Sequence, residues 1–587
     1  MTENQSNRKK KVWDNIIILI SIFGLIICIA ILFPQVRQMV LDFLEKVFHR
    51  EISQPRIWLR TLLSYAMGSI CLILLFDYCT LTDSGRALVK KVLREITETL
   101  SAIDFRSFLK PFILLTGIYL LGIFTIIQAN FFYNDDVGWA LSGHREWYNF
   151  SRYIIVFLAY LVQPEIRMTD ISPLPQLLAV ILLACSSILL VYILSNRKIT
   201  TVRLLASIPL GLFPYFLECL SYKFMAPYFA FSVLICIIPF LFVAHRKAFF
   251  FSSVVAMLIM CMTYQAVSGV YLMIAVLLSF QDWNNKKKTN KEILSFLGIA
   301  ALAFCFAMLF FRFFLMKSFD EQLTDYTSVA MLPLTQLLSG ALINIKDYTL
   351  IVYHDLSLIW KAGILLVLVF FITRSMAHSK QKKIHAFFFS IIIIAISCLL
   401  SFGVYSLLKV PLFAPRALIG FCVFLSCICV YVASDYKKSA IITVLALNWC
   451  FFVFAFSYGN ALTDQARYAE FRKNILLHDL SALQLGKDNE NASIQFNNPI
   501  DYSPVVKNTA KHNPVIERLV PKRLGDFILD DLYCLSFNNY NQYRINFRVV
   551  VSKDYVDFNT LDLPLVLDSY YHTIHSDGEH ILIKLKR

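Results

Sequence analysis

Two carboxylates stand side by side in the stretch Tyr133-Asn134-Asp135-Asp136-Val137-Gly138-Trp139-Ala140-Leu141-Ser142-Gly143, which continues through His144, Arg145, Glu146, Trp147 and Tyr148 to Arg152. They follow directly on an apolar run, Pro111 to Gln128, that reads as a membrane span. Ionisable side chains at the mouth of a hydrophobic helix are costly to hold near lipid, so they invite a functional reading. The bland alternative is a solvated loop that merely caps a helix. If both groups titrate, their adjacency should push the two pKa values apart. Behind them, Tyr153–Val162 is apolar but too short to cross a bilayer, and a helix lying in the interface fits it better. An acidic pair, aromatics and arginines are thus gathered beside a hydrophobic groove. That suits a substrate with a charged head and a lipid tail.

Further cations lie on other loops. Lys223 sits in Ser221-Tyr-Lys-Phe-Met-Ala-Pro227, and Lys409 and Arg416 flank the two prolines of Lys409-Val-Pro-Leu-Phe-Ala-Pro-Arg416. Interfacial cations commonly snorkel toward headgroups, which is the plain reading of Lys409 and Arg416, as headgroup anchoring is of Arg145 and Arg152.

The elements that must position these residues are membrane helices. Of 587 residues, 58% are hydrophobic and 16% charged, with mean hydropathy +0.61. A soluble domain carries more charge and less apolar content, and the long uninterrupted apolar runs exclude a transmembrane barrel. The net charge of +15 resides in short clusters between runs, as topology signals do, so no nucleic-acid partner is expected. The cysteines lie mostly inside apolar runs without C-x-x-C spacing, so neither a disulfide framework nor a zinc site is expected.

About thirteen spans are expected. They lie near 13–33, 57–78, 111–128, 174–194, 202–220, 227–244, 248–264, 267–280, 293–315, 349–373, 386–407, 417–433 and 441–458. Arg8-Lys9-Lys10-Lys11 before the first reads as an uncleaved anchor. Basic clusters at Arg197-Lys198, Arg246-Lys247, Lys286–Lys288, Lys380–Lys383 and Lys437-Lys438 fall in alternate loops, predicting a cytoplasmic N-terminus and an acidic loop and C-terminus outside. The first hairpin dissents, because Arg37, Lys46, Arg50 and Arg56 would be external. Three regions result: 1–110, a hairpin with interfacial amphipathic helices; 111–458, a transmembrane catalytic domain; and 459–587, an extracytoplasmic α+β domain. In the last, Gln465–Leu485 has helical spacing, Ile545–Val551 and Ile581–Lys586 read as strands, and Asp577-Gly578 as a turn.

The order acidic pair, glycine, small-residue turn, Trp147, Arg152, short apolar helix resembles the first external loop of GT-C glycosyltransferases. Within them it is most similar to the phage-type O-antigen glucosyltransferases, the GtrII-like group, whose pattern is N-D-D-x-G-R-A-x-x-G followed by W and G-R. Asn134, Asp135, Asp136, Gly138, Ala140, Gly143, Trp147 and Arg152 match it. Phe413–Gly420, Asp464–Tyr468 and Leu477–Leu480 are similar to later stretches of that family. Trp139 departs from it where arginine is usual, and Ser151 where glycine is.

The resemblance implies a polytopic GT-C enzyme of a bacterial inner membrane. It would transfer a sugar, glucose by analogy, from undecaprenyl phosphate to a lipid-linked O-antigen or other surface glycan on the periplasmic face. Membrane lipids, a donor-synthesising glycosyltransferase and a flippase would be its further partners. The chemistry fits the residues: a polyprenyl phosphate leaves as a stable anion, so cations and one base suffice. Asp136 is slightly preferred over Asp135 as base. Arg145, Arg152, Arg416 and Lys409 are candidate ligands of the donor phosphate. Trp139, Trp147, Tyr148 and Lys223 are candidates for sugar or acceptor binding, with the aromatic belt as the plain alternative for Trp147 and Tyr148. No organic cofactor is expected; a divalent cation at Asp135 and Asp136 is the open alternative. A direct displacement would invert the anomeric centre. The rivals are a transporter or flippase of lipid-linked glycans, which should show repeated broken helices and midplane charges, a membrane O-acyltransferase and an assembly partner. His354-Asp355 lacks an accompanying nucleophile and is read as structural.

Overall fold

The computed structural model describes residues 82–316, 330–434, 437–483, 493–497, 499–522 and 557–586. Among these, eight helices are long and apolar enough to cross a membrane, or nine if the bent pair Thr201–Leu212 and Pro214–Ser221 is one span. The expected spans at 13–33 and 57–78 lie outside the described residues.

Four of the remaining runs differ from their expected form. The run expected at 349–373 is two helices, Leu337–Asp355 and Leu358–Ala377; Ser357 starts the second by accepting a hydrogen bond from the Trp360 N–H through its side chain. The runs at 227–244 and 248–264 fold as the shorter helices Ala226–Phe242 and Arg246–Cys261, much of them packed in the interior. Hydropathy sees apolar residues; it does not see whether they face lipid or protein. The 60° bend in the paired helices falls at Phe213, held extended (φ −67°, ψ 142°) in front of Pro214. A residue before proline is disfavoured in the α region, which is why the helix stops there.

The last span belongs to a 45-residue helix, Lys438–Ala482. At 1.5 Å per residue it is about 68 Å long, roughly twice a bilayer core. The fall in hydropathy at Gly459 therefore lies within one continuous helix. That glycine lets the helix press on Phe124–Ala129: a Cβ there would meet Thr125 Oγ1 at 2.3 Å and its carbonyl carbon at 2.6 Å.

Beyond the helix, β1 (Ser493–Asn497), β2 (Leu565–Asp568), β3 (His572–Ser576) and β4 (His580–Leu585) form one sheet in the order β1-β4-β3-β2. β1 runs parallel to β4 and the other pairs are antiparallel, with the expected Asp577-Gly578 turn between β3 and β4. The expected strand at 545–551 lies outside the described residues. The sheet and the end of the long helix share a small core of Leu476, Leu480, Ile494, Phe496, Ile574 and Ile583. Residues 502–520 instead join the main core of the membrane helices through Tyr502, Val506, Ile516, Leu519 and Val520.

Basic loops meet one another at one end of the bundle. Lys287 Nζ donates to Asn196 Oδ1 at 2.6 Å, the Lys380 N–H to Asn284 O at 2.9 Å, and Arg203 to Ser434 O at 3.2 Å. The acidic loop, residues 218–223 and the 409–416 loop gather at the other.

Candidate active site

The acidic loop is built from turns that only certain residues accept readily. Asn130 (φ 46°) and Asn134 (φ 43°) take left-handed conformations before the short helix Asp136–Ser142. Ser151 (φ 57°) does so just before Arg152. This is the position where the resembled pattern carries glycine, and the left-handed backbone supplies the reason.

The two carboxylates have different surroundings. Asp136 is fully buried, and its Oδ2 accepts the main-chain N–H groups of Tyr133 and Lys223, each at 2.9 Å. Its Oδ1 is buried without a partner among the described residues. Burial pushes this carboxyl up to about 7; the main-chain N–H groups oppose the rise, and the charge of Asp135 adds to it. Asp135 is partly exposed. Burial raises its pKa too, while the charges of Arg416 and Arg152 hold it down.

Those arginines come from separate elements. Arg416 follows Pro415 at the start of Pro415–Val432. Glu218 accepts from its Nη1 at 2.9 Å and also from its main-chain N–H. Tyr264 donates to the Arg416 carbonyl at 3.3 Å, and the guanidinium lies 5.9 Å from the Tyr222 ring. Arg152 sits 5.4 Å from the Tyr264 ring, so one aromatic side chain borders both cations. Asn134 Nδ2 donates to the Tyr222 hydroxyl at 3.1 Å, tying the acidic loop to the same wall.

A segment far along the chain braces this assembly. Arg518 donates to Asp355 Oδ2 and to the carbonyl of Phe413, three residues before Arg416. Asp355 also accepts from the Tyr215 hydroxyl at 2.9 Å. The next carbonyl, Leu519 O, accepts from the Tyr133 hydroxyl at 2.8 Å and from Tyr458 at 3.4 Å. Residues 518 and 519 therefore hold the acidic loop, the Arg416 loop and the end of the Leu337–Asp355 helix in one arrangement.

The other candidates are placed elsewhere. Arg145 is buried, donates to Gln163 O at 2.6 Å and Ile166 O at 2.9 Å, and lies 4.0 Å over Tyr160. It anchors the returning loop. Lys409 is exposed on a loop whose backbone pairs with Ala330 and Leu332. Trp139 and Trp147 pack edge to face at 5.3 Å, with Phe224 and Tyr228 extending the cluster; Tyr148 is half exposed. Lys223 is buried, its ammonium 2.8 Å from Asp170 and 3.9 Å over Phe132. No group of three or more His, Cys, Asp or Glu side chains converges among the described residues.

Glu218 was readable in the sequence as a lone carboxylate inside an apolar run, a costly placement that marks function. Asp355 and Arg518 offered no such signal as a pair, since nothing in spacing links them.

A family model described as glucosyl transferase GtrII matches residues 123–432, from the acidic loop to the end of the Arg416 span. A protein of Salmonella phage P22, described as an uncharacterized 55.3 kDa protein in the gtrB 5' region, is 24% identical over 447 residues, covering 74% of this chain and 90% of the relative. No solved structure matches.

Proposed function

Because the chain belongs to the glucosyl transferase GtrII family, we propose that it is a GT-C enzyme moving glucose from a polyprenyl phosphate to a lipid-linked O-antigen or similar surface glycan. The observation that carries this reading is the partly exposed Asp135 acted on by two arginines from different loops, Arg152 and Arg416. Donor phosphate binds these cations, and Glu218 fixes one edge of Arg416 so that the rest faces the leaving group. The acceptor hydroxyl oxygen forms the new bond to the anomeric carbon as the bond from that carbon to the phosphate oxygen breaks. The electron pair leaves with polyprenyl phosphate, the two guanidinium groups stabilise the growing charge, and Asp135 takes the hydroxyl proton. A single displacement inverts the anomeric centre.

Asp136 supports the loop in this scheme. Its Oδ2 organises two main-chain N–H groups and its raised pKa follows from burial, whereas Asp135 has both exposure and cations beside it. Charge alternation along the sequence supports a periplasmic site in the inner membrane, with the N-terminus cytoplasmic. A donor used there requires a glycosyltransferase to make it and a flippase to deliver it. The test is glucose transfer from labelled polyprenyl-phosphate glucose to membranes of a strain lacking this gene. Transfer that requires Asp135 supports the reading, and an Asp135→Asn variant with parental turnover overturns it.

A further inference from the structure

Two turns that meet beside the arginines bring one more side chain to them. Tyr264 stands in the turn between the helices Arg246–Cys261 and Ser268–Asn284. Against it lies the turn Gly403–Leu407, just after the span Lys383–Leu400. Ser268 Oγ accepts from the Val404 N–H at 3.0 Å, and a Cβ on Gly269 would meet Leu400 O at 1.7 Å. A Cβ on Gly420, four residues past Arg416, would meet Ser401 O at 2.1 Å. Only glycine permits such approaches, so this stretch is pressed from both the Tyr264 side and the Arg416 side. Asn344 Nδ2 holds the turn again, donating to the carbonyls of Ser406 and Leu408 at 2.9 Å each. Tyr405 sits in the middle of that clamped turn.

Its hydroxyl is uncommitted. Tyr264 and Tyr348 beside it donate to the carbonyls of Arg416 and Leu412. Tyr405 is partly exposed, and its side chain makes no hydrogen bond among the described residues. The charges of Arg152 and Arg416 act on it, the same two that act on Asp135. Arg152 has a spare donor as well, since its Nε is buried with no partner among the described residues. Two guanidinium groups and a phenol thus offer donors at one place, and an anion with several acceptor oxygens would satisfy them together. Burial raises the Tyr405 pKa above its ordinary 10.0 against the pull of both arginines. The hydroxyl therefore keeps its proton at neutral pH and can donate it to a hydrogen bond.

We propose that Tyr405 is a third ligand of the donor phosphate, its hydroxyl donating to a phosphate oxygen that Arg152 and Arg416 also face. The proposal rests on the transferase reading above and adds a residue to its donor site. As the bond to the anomeric carbon breaks and charge gathers on the phosphate, this hydrogen bond strengthens with the two from the arginines. Tyr405→Phe removes the hydroxyl and keeps the ring. With labelled polyprenyl-phosphate glucose as donor, kcat/KM for the donor should fall roughly ten- to a hundredfold, the effect of losing one hydrogen bond to a charged group. The acceptor KM should stay at the parental value. Binding of labelled polyprenyl phosphate to the detergent-purified full chain reads the contact without turnover. The variant should bind it about tenfold more weakly, and bind the uncharged polyprenol as the parent does. Its melting temperature should match the parent's, because the hydroxyl gives up no bond within the protein. A lowered melting temperature would reveal such a bond and overturn the proposal. Parental kinetics and binding in Tyr405→Phe overturn it too, and a Tyr405→Ala variant that is impaired alongside would leave a role for the ring alone. A parent that binds polyprenyl phosphate through Tyr405 yet transfers no glucose removes the transferase reading and leaves the phosphate contact standing.

Discussion

Replacing Asp136 by asparagine separates a supporting role from a catalytic one. The carboxyl is fully buried and its folded-state pKa is pushed from 3.8 to about 7. Its folded value exceeds its unfolded one, so its contribution to stability is complete below the unfolded pKa and is lost as pH rises through the folded pKa. Three pH units at 1.36 kcal/mol each make this about 4 kcal/mol. Asparagine keeps an acceptor oxygen for the Tyr133 and Lys223 N–H groups and has no charge to bury. Relative to the parent, Asp136→Asn should gain stability steadily between about pH 4 and pH 7, by a few kcal/mol in total. Melting temperatures of detergent-solubilised parent and variant across that range measure it. Turnover at neutral pH should fall by less than about tenfold, against a hundredfold or more for Asp135→Asn. Two melting curves that stay parallel from pH 4 to pH 8 would refute the burial argument. Equal and large losses of turnover in both variants would make Asp136 the base.

Arg416→Lys should lower single-turnover rates more than it weakens donor binding, because a contact to the leaving phosphate strengthens as charge develops and a lysine cannot also match Glu218 edge-on. Arg518→Ala leaves Asp355 with only the Tyr215 hydroxyl; the expected loss is about 2–4 kcal/mol, discounted because Arg518 is partly exposed, with a parallel fall in turnover and partial recovery in Arg518→Lys. Thermal unfolding and rate measured on the same samples check both halves. A reporter active only outside the cytoplasm should work when fused after Ala482 and fail within Lys286–Lys291. The reverse pattern would move the acidic loop to the other face.

The positions of Asp135, Asp136, Arg152 and Arg416 were legible because ionisable residues stand out against apolar sequence. The same contrast marks Glu218, which a reading centred on external loops passes over. Other features depend on three-dimensional packing and leave no local trace. Arg145 looks like Arg152 in sequence, but its guanidinium is taken by the carbonyls of Gln163 and Ile166. The interior helices at 226–242 and 246–261 match lipid-facing spans in hydropathy while burying much of that surface in protein. The break at Leu356 depends on a serine cap within an apolar stretch, and the pairing of Arg518 with Asp355 spans 163 residues. Neither distance nor partner can be read from one strand of text.

The Leu519 brace has a consequence for biosynthesis. Tyr133 and the carbonyl it binds are 386 residues apart, so the acidic loop leaves the ribosome long before its partner exists. Throughout that interval the helices can insert and pack, while the Tyr133 hydroxyl and the Arg416 loop lack their final contacts. A chain that stalls before Arg518 would contain the whole family-matched portion and still lack the brace across its site. The brace is thereby tied to synthesis beyond the family-matched portion: the helices are made early, and the contact that ties the acidic loop to Leu519 comes only after them.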